Sequence, residues 1–233
     1  QHPIPAKLNA SHASLEMGDH DDSYIIRSGV WDILSPTILP AGANLLILGG
    51  TTLRFAPDAF LLVQGALDLN GTANAPIVLE GMSFEDGDGS WQGIVILNAD
   101  STSRWSNVTV RNTSGIEYPQ WRLTGGVTFY YSDVDMDHCS FTGHRGEDAL
   151  NIIHSHFNMS DTQITNTASD GFDSDFSTGV IVGGLFQDIG QEDGGDAFDM
   201  SGSEVIIEDT RFLRINDKAL SVGERSKLTV HRI

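Results

Sequence analysis

DALN (148–151), DGFD (170–173), DAFD (196–199) and KALS (218–221) are four copies of one short phrase, spaced 22, 26 and 22 residues apart. Nine and eleven residues after the first start come Phe157 and Met159, and Ile164 follows at sixteen. The second and third copies repeat these offsets, with Gly179 as the one residue that is not apolar and large. Each repeat thus carries three short strands, and neighbouring repeats must stack because none can bury its apolar side alone. The spacing predicts an all-β fold, a parallel β-helix with coils of about 22 residues.

The rest of the chain predicts the same architecture, and no linker or composition break divides residues 1–233 into separate domains. The expected parts of this single domain are an irregular or capping segment (1–30), looser coils with loop insertions (31–124) and regular, truncated coils (125–233). Loops are expected to project at 80–92 and 98–106. AKLNASHASLEM (6–17) predicts a short helix that caps the first coil.

The chain stops inside a coil, in KLTVHRI (227–233). An uncovered β-helix end exposes unpaired backbone groups and apolar side chains. Terminal repeats normally carry caps. We therefore expect the chain to be a piece of a longer protein, or its C-terminal end to dock on further protein.

Two runs of sequence carry a resemblance to a known superfamily. PAGANLLILGGTTLRFAPDAFLLVQGALDLNGTANAPIVL (40–79), followed by WQGIVIL (91–97), resembles the opening of right-handed parallel β-helix domains of the pectin-lyase-like superfamily. GGDAFDMSGSEVIIEDTRF (194–212) and NDKALSVGERSKLTV (216–230) resemble coils of secreted bacterial β-helix proteins.

The resemblance covers residues 25–233, and it implies a right-handed parallel β-helix that is secreted or exposed on a cell surface. It does not imply one activity, because the superfamily includes lyases, hydrolases, epimerases and adhesins without catalytic function. The motifs typical of polygalacturonases and pectate lyases are missing. GHRG (143–146) and RINDK (214–218) are only partial matches.

Charge and composition exclude some kinds of partner. The chain has 32 acidic against 13 basic residues and a formal net charge of −19. Nucleic acid is therefore not an expected partner, since phosphate binding needs a basic surface. No run of about 18 apolar residues is present, so no membrane span is expected. Cys139 is the single cysteine, which leaves no internal disulfide.

Stacking is expected to place equivalent residues of successive coils about 4.8 Å apart. The two resulting polar columns are Asp148, Asp170, Asp196 and Lys218, and Asn151, Asp173, Asp199 and Ser221. We call these columns, together with Asp175, the acid grid. By strand alternation, the column that contains Asp173 should face solvent. Like charges at this distance repel by roughly 1 kcal/mol in water and about 3 kcal/mol at an effective dielectric near 20.

Three effects can relieve this repulsion: screening by salt, a shared proton that raises one pKa, or a bound cation. Ca²⁺ takes about six to eight oxygen ligands. The candidate metal ligands are Asp170, Asp173, Asp175, Asp196 and Asp199, and the loop acids Glu192 and Asp193 can add to them. The alternative for Asp148, Asp170 and Asp196 is structural, because Asp in turns often accepts hydrogen bonds from backbone N–H groups.

The same grid offers candidate catalytic residues. A lyase needs a base that removes the proton next to a uronate carboxylate, and a cation that stabilises the enolate. Arg145 or Lys218 is the candidate base, with Ca²⁺ held by Asp173 and Asp199. A hydrolase needs two carboxyl groups, and Asp173 and Asp199 can form such a pair. His144, Arg145 and Glu147 of GHRGED (143–148) are expected at the edge of the grid.

Histidine and aromatic residues suggest two further sites. His154 and His156 are expected to share one strand face, where they could bind Zn²⁺ or Cu²⁺ with His138 or Asp133. Exposed rings can stack on sugars, and most of the remainder pack under loops. These aromatic residues of the middle third are Trp91, Trp105, Tyr118, Trp121, Tyr130 and Tyr131.

We therefore expect an extracellular β-helix scaffold or carbohydrate-contacting module of a larger secreted or surface protein, with a Ca²⁺-binding acidic face. The alternative is a polysaccharide lyase, epimerase or hydrolase that acts on an anionic glycan along the outer groove.

Overall fold

The computed structural model describes residues 15–17, 23–82, 89–119, 121–192 and 194–233, which form strands and turns and contain no helix. The strands of the first coils are β1 (Leu15–Met17), β2 (Ser23–Ile26), β3 (Gly29–Ile33), β4 (Thr37–Ala41), β5 (Asn44–Leu48), β6 (Thr51–Phe55), β7 (Phe60–Gln64), β8 (Leu67–Asn70) and β9 (Ile77–Gly81). Those of the middle coils are β10 (Gly93–Leu97), β11 (Ser103–Ser106), β12 (Val108–Arg111), β13 (Ile116–Tyr118), β14 (Trp121–Leu123), β15 (Gly125–Tyr130), β16 (Val134–Asp137), β17 (Ser140–Thr142) and β18 (Asp148–Ile153). Those of the last coils are β19 (His156–Ser160), β20 (Gln163–Thr165), β21 (Asp170–Asp175), β22 (Thr178–Val182), β23 (Leu185–Ile189), β24 (Phe198–Ser201), β25 (Glu204–Glu208), β26 (Arg211–Ile215), β27 (Leu220–Val222) and β28 (Lys227–His231).

Three long sheets run along the molecule. Sheet 1 has ten strands in the order β1-β2-β5-β8-β11-β16-β19-β22-β25-β28. Sheet 2 has eight, β4-β7-β10-β15-β18-β21-β24-β27, and sheet 3 has eight, β3-β6-β9-β12-β17-β20-β23-β26. Each full coil contributes one strand to each sheet, so the chain is a parallel β-helix of about nine coils with about 23 residues each. The fold predicted from the spacing of the repeated phrase is confirmed.

The core is a set of stacked apolar columns inside the three sheets. Leu150 pairs with Phe172, Phe172 with Phe198, and Phe198 with Leu220. The first three of these side chains are fully buried. Burial of one such side chain contributes about 1.5–3 kcal/mol. Cys139 is also buried, and burial raises the pKa of its thiol to about 12, as suits an unreactive core residue.

Coils of three strands begin at Gly29–Ile33. In sheet 2 the paired residues Leu61, Ile94 and Val127 are 33 residues apart along the chain, whereas Val127 and Leu150 are 23 apart, so the middle coils carry the longer connections. The expected loop at 98–106 is wrong in its second part, because Ser103–Ser106 is strand β11 of sheet 1. In the expected loop at 80–92, the first two residues belong to β9 and residues 83–88 lie outside the described residues.

One insertion leaves the stack, and the repeat pattern does not reveal it. Strands β13 and β14 form an antiparallel hairpin in which Ile116 pairs with Leu123 and Tyr118 with Trp121. The hairpin packs on the outer face of sheet 2, where Ile116 contacts Phe60, Leu62 and other apolar residues. This hairpin therefore covers the N-terminal part of the face that carries the acid grid.

The two ends of the described chain differ. Leu15–Met17 is a strand that pairs antiparallel with β2, so the helix expected over 6–17 is wrong for these three residues. Residues 6–14 lie outside the described residues. In the last coil, the core residues Leu220 and Leu228 are only partly buried.

Among the described residues, no helix has the length and apolar character that crossing a membrane requires.

Candidate functional site

The acid grid lies on sheet 2 in the register that the sequence predicts. Asn151 pairs with Asp173, Asp173 with Asp199, and Asp199 with Ser221. Thr128 of β15 precedes Asn151 in the same row. We call Thr128, Asn151, Asp173, Asp199 and Ser221 the outer row. Equivalent residues of this row are about 4.8 Å apart, the ordinary spacing between strands.

The start of the outer row is covered, which corrects the expectation that this column faces open solvent. Asn151 is 7% exposed and Thr128 is 2% exposed. Asp173 and Asp199 are partly buried. The insertion lies beside Thr128, because its residues Trp121 and Leu123 line a cleft together with Thr128. A repeat pattern cannot predict this cover, since the hairpin lies outside the repeat.

The other column of the grid is tied to the backbone. The N–H of Asp196 donates to Asp170 Oδ1 at 2.8 Å, and the N–H of Lys218 donates to Asp196 Oδ1 at 2.8 Å. Asp148 is buried and accepts a hydrogen bond from Thr124 Oγ1 at 2.9 Å. The structural interpretation of this column is therefore confirmed for Asp170 and Asp196.

Lys218 lies at the end of that column and is held by two carboxylates. Its Nζ is 2.9 Å from Asp217 Oδ2 and 3.0 Å from Asp196 Oδ2. The hydrogen bonds to Asp217 and then to Asp196 raise the pKa of the Lys218 ammonium above its ordinary value. A general base must give up its proton near the working pH, so this environment opposes the role of Lys218 as a base.

Arg145 and its neighbours form the edge of the site. Arg145 Nη1 lies 2.7 Å from Glu192 Oε1, so this loop acid pairs with arginine. Asp193, the other loop acid considered as a ligand, lies outside the described residues. His144 is 1% exposed, and its Nδ1 lies 2.7 Å from Thr113 Oγ1 while the N–H of Gly146 donates to its Nε2 at 3.1 Å. Burial lowers the pKa of His144 to about 3, so the ring is a neutral support for this loop.

Four carboxyl groups of the grid have a raised pKa: Asp148, Asp170, Asp173 and Asp175. Burial, followed by repulsion from Asp175, Asp148 and other acids, raises the pKa of Asp173 to about 8. Burial raises the pKa of Asp148 to about 6. Burial is also the largest cause of the raised pKa values of Asp170 and Asp175. No arginine or lysine contributes to the shift at Asp173, so this carboxyl group has no positive partner.

Two buried polar atoms of the outer row have no hydrogen-bond partner: Thr128 Oγ1 and Asn151 Oδ1. The amide nitrogen of Asn151 does have partners, Asp173 Oδ2 at 3.4 Å and Asp148 Oδ2 at 3.5 Å. An unpartnered buried polar atom costs about 1–3 kcal/mol. Such atoms are rare in folded proteins, and a missing ligand or water is one common explanation. They mark the centre of the candidate site.

An apolar cleft adjoins Thr128. It has a volume of about 320 Å³ and is lined by Leu62, Val95, Leu97, Trp121, Leu123, Thr128 and Tyr130. Trp121 and Tyr130 are partly exposed, whereas Trp91 and Trp105 are buried in the core. Trp91 and Trp105 thus belong to the main core, and stacking of the exposed rings on a sugar stays a prediction. Sequence reasoning named Trp121 and Tyr130 but missed Thr128, for which no motif gives a signal.

The prediction that His154 and His156 share a strand face is wrong. Strand β18 ends at Ile153, and His154 lies in the following turn with a φ of 51°. Its ring stacks between Tyr131 and Phe176, with centroids 4.7 Å and 5.0 Å away. His156 instead has its Nδ1 3.0 Å from Thr178 Oγ1. A turn between the two histidines separates them, so they do not share a strand face.

A different cluster brings together three groups that could hold a metal ion: Asp137, His138 and Asp161. All three are exposed, and they lie where sheet 1 turns towards sheet 3. Among the described residues, no other group of three such side chains has its ligand atoms within 4.8 Å of one another. The ligand atoms of the acid grid are therefore more widely spaced than those of a preformed metal site.

No family model and no curated protein matches the chain. Among solved structures, it is similar to the catalytic domain of a GH87 α-1,3-glucanase in complex with tetrasaccharides, with 14% identity and a TM-score of 0.53. That match covers 81% of this chain and 34% of the glucanase chain, so this chain spans about a third of the enzyme's length. A second match is the Streptococcus pneumoniae surface protein and adhesin PfbA, with 9% identity and a TM-score of 0.20 over 90% of this chain and 91% of that chain. The likeness to the glucanase agrees with the topology described above: the chain is a parallel β-helix.

Proposed function

We propose that the chain is an extracellular module that binds carbohydrate along the outer face of sheet 2. One observation carries the proposal. Two buried polar atoms without partners, Thr128 Oγ1 and Asn151 Oδ1, lie in one row between an apolar, aromatic cleft and the acid grid. Sites for small molecules commonly combine apolar walls with a few well-placed polar groups.

The chemistry of a sugar suits each part of this surface. The C–H faces of a sugar ring can lie against the partly exposed rings of Trp121 and Tyr130. Its hydroxyl groups can donate to Asn151 Oδ1 and exchange hydrogen bonds with Thr128. The outer row continues over four further coils beyond Thr128, and this gives a track rather than a single pocket.

The solved glucanase structure supports the substrate class. The domain with the same fold is described in complex with tetrasaccharides. At 14% identity this likeness shows the fold alone, so the residues of the present chain must carry the rest of the proposal. Because structural polysaccharides lie outside cells, we propose that the module is secreted or exposed on a cell surface.

Calcium at the acid grid is a second part of the proposal. Burial and then repulsion from neighbouring acids raise the pKa of Asp173, and a divalent cation would relieve the repulsion. Asp173, Asp175 and Asp199 can supply carboxylate oxygens, and Asp170 keeps one oxygen outside its backbone hydrogen bond. Both oxygens of Asp196 contact the ammonium group of Lys218, which would have to move before Asp196 could bind the ion. Because the grid is open, water would complete the coordination of Ca²⁺.

Glycoside hydrolysis is a second candidate function, and the proton on Asp173 favours it. A hydrolase needs one protonated and one ionised carboxyl group on either side of the glycosidic bond. With a pKa of about 8, Asp173 keeps its proton at neutral pH and could act as the acid, with Asp199 as its partner on the next coil. Release of reducing ends by the wild type but not by Asp173→Asn would support hydrolysis.

Binding measurements with a panel of oligosaccharides test the proposed carbohydrate-binding function. We would titrate tetramers of neutral glucan, N-acetylglucosamine, glucosamine and galacturonate by calorimetry. We expect at least one to bind, and Trp121→Ala and Asn151→Ala to weaken that binding at least tenfold. Asn158→Ala is the matched control, because Asn158 is exposed on sheet 1 and bonds to Asp135 instead. The proposal fails if no tetramer binds, or if the control weakens binding as much as the other variants.

A further inference from the structure

The turn between sheets 1 and 3 brings an imidazole and two carboxylates together from adjacent coils. Asp137 ends β16, His138 follows it in the turn, and Asp161 is the equivalent of His138 one coil later. We call these three residues the turn cluster. One ligand atom from each of them lies within 4.8 Å of the other two. The turn cluster thus combines residue types that bind metal ions with ligand atoms that converge on one place.

The backbone fixes the positions of the turn cluster. Strands β16 and β19 are parallel neighbours, with Asp137 opposite Ser160. The N–H of His138 donates to Ser160 O at 3.0 Å, and the N–H of Asp161 donates to Val182 O at 2.9 Å. His138 and Asp161 share a left-handed conformation, with φ values of 52° and 46°. Only side-chain rotation is therefore needed to bring the ligand atoms around an ion.

The distances within the turn cluster suit a small divalent ion. His138 Nδ1 lies 2.9 Å from Asp137 Oδ1, and His138 Nε2 lies 3.9 Å from Asp161 Oδ2. The second distance is too long for a hydrogen bond. Zn²⁺ lies about 2.0–2.2 Å from nitrogen and oxygen ligands, so two ligand atoms of a tetrahedral site are about 3.4 Å apart. The gap between the His138 ring and Asp161 is therefore close to the one that a zinc ion spans.

Other acids in equivalent turns have a different partner. Asp209, two coils beyond Asp161 in the same turn, binds Arg232 through hydrogen bonds of 2.6 Å and 2.8 Å. Asp188 binds Arg214 in a similar way. In the turn cluster two carboxylates instead flank one imidazole, which carries at most a single positive charge. A divalent cation balances both carboxylates.

The imidazole determines which ions the turn cluster favours. Nitrogen ligands suit Zn²⁺ and Cu²⁺, whereas Ca²⁺ takes oxygen ligands and needs about six to eight of them. The acid grid offers carboxylate oxygens, so the two acidic regions of the molecule should differ in the ions that they bind. Because all three side chains of the turn cluster are exposed, water can complete the coordination of an ion there.

We propose that Asp137, His138 and Asp161 form a binding site for a divalent transition-metal ion, with Zn²⁺ as the ion to test. Asp137 and His138 belong to one coil and Asp161 to the next, so the bound ion links two adjacent coils. An ion that binds only the folded chain stabilises it. The site lies beside sheet 1 and is separate from the carbohydrate-binding face of sheet 2, so this inference does not depend on the proposed function.

The experiment is a calorimetric titration of the untagged, chelator-treated chain with ZnCl₂ at pH 7.5. We expect a site that Asp161→Asn, His138→Gln and Asp137→Asn each weaken at least tenfold. A concentration of Zn²⁺ about 100-fold above Kd should raise the melting temperature of the wild type by at least about 3 °C. Asp161→Asn should abolish most of that shift.

Two exposed residues provide matched controls. Asp209→Asn removes an acid from the same turn of another coil, where it binds Arg232, and His156→Gln removes an imidazole from the face of sheet 1. Neither should change zinc binding more than about twofold. Circular dichroism without metal checks that every variant keeps the fold.

Three results would overturn the proposal. The first is that no Zn²⁺ binds to the wild type, and the second is that the turn-cluster variants bind it as tightly as the wild type does. The third is that Asp209→Asn weakens binding as much as Asp161→Asn, because the ion would then respond to net charge alone. Loss of binding in the three turn-cluster variants, with both controls unchanged, supports the site whether or not any oligosaccharide binds to sheet 2.

Discussion

Asn151 and Asp173 face each other on adjacent coils, and the Asn151 amide nitrogen donates to Asp173 Oδ2 at 3.4 Å while its carbonyl oxygen has no partner. The pair links the two halves of the site. On one side lie Thr128 and the apolar cleft, and on the other lie the remaining acids. The acids thus fix the Asn151 amide through its nitrogen, while its oxygen stays without a partner.

The raised pKa of Asp173 predicts that Asp173→Asn stabilises the protein, and more so at higher pH. The native state holds a proton on Asp173 up to about pH 8, whereas the unfolded chain releases it near its ordinary value of 3.8. The wild type therefore loses stability from this group as the pH rises from about 4 to 8. Asparagine keeps the shape of the side chain without its charge. The free energy of unfolding of Asp173→Asn should therefore exceed that of the wild type by an amount that grows between pH 4 and 8 to on the order of 1–2 kcal/mol, with allowance for solvent screening.

Urea unfolding of both proteins at pH 4.5, 6.5 and 8.5 measures this difference. Asp100→Asn, an exposed acid outside the grid, serves as the control and should show no such trend. A constant difference between Asp173→Asn and wild type at all three pH values would contradict the prediction.

The columns of the grid could be predicted from the sequence, but their burial could not. The repeat length alone determines which residues become partners, so Asp148 with Asp170 and Asp173 with Asp199 follow from counting. Cover by the hairpin depends on contacts between Ile116 and residues more than 50 positions earlier, such as Phe60 and Leu62. Such an insertion has no equivalent in the other coils and leaves no periodic signal.

The histidine error has a similar physical cause. Counting two residues from His154 to His156 assumes an extended backbone, but a left-handed φ of 51° at His154 turns the chain between sheets 2 and 1. The rings of Tyr131 and Phe176 occupy equivalent turns, with φ values of 48° and 50°. A left-handed residue reverses the alternation of faces, and bulky residues rarely adopt this conformation, so the sequence gives no warning.

The unpartnered hydroxyl of Thr128 predicts that Thr128→Val is neutral or stabilising. Valine has nearly the same shape and removes a buried group that lacks a hydrogen bond. Thr210→Val is the matched control. Thr210 is fully buried, but its hydroxyl donates to Glu208 O at 2.9 Å and accepts from the N–H of Gly184 at 3.3 Å.

We expect Thr210→Val to lose about 1–3 kcal/mol of stability, because it leaves a buried backbone N–H unpaired. Thermal unfolding of the two variants and of the wild type measures these differences in stability. Equal losses in both would show that Thr128 Oγ1 has a partner in solution, such as a bound water.

The buried, neutral ring of His144 predicts a loss of stability in acid. Its pKa is lowered to about 3, whereas the unfolded chain takes up the proton near 6.5. The stability that depends on the neutral His144 ring is present above pH 6.5 and is lost as the pH falls towards 3. This pH dependence of stability has the opposite sign to that of Asp173. His144→Gln should destabilise the protein at pH 7 by about 1–3 kcal/mol and flatten the decline between pH 6.5 and 4.

The control for His144 is His231→Gln, since His231 is exposed in the last coil. Differential scanning calorimetry across that pH range gives the two slopes. If the decline in the His144 variant is as steep as in the wild type, protonation of some other group controls acid unfolding.

Calcium binding at the grid predicts that Ca²⁺ raises the melting temperature, and by more at pH 8.5 than at pH 5. A ligand that binds only the native state stabilises it in proportion to the logarithm of its concentration over Kd. At pH 5 a proton occupies Asp173 and competes with the ion, because its pKa is raised to about 8. The measurement is thermal unfolding in Ca²⁺ against chelated protein, with Mg²⁺ for comparison. Asp173→Asn combined with Asp199→Asn should abolish the shift.

The competing site at Asp137, His138 and Asp161 provides the decisive control. Asp161→Asn should leave the calcium effect unchanged if the ion binds the grid, because Asp161 lies on the turn after β19 and not on sheet 2. A calcium effect that survives in the double variant of the grid but disappears in Asp161→Asn would place the ion at that exposed cluster. The raised pKa of Asp173 would then reflect burial and repulsion from its neighbours, with a proton rather than calcium on this carboxyl group at neutral pH.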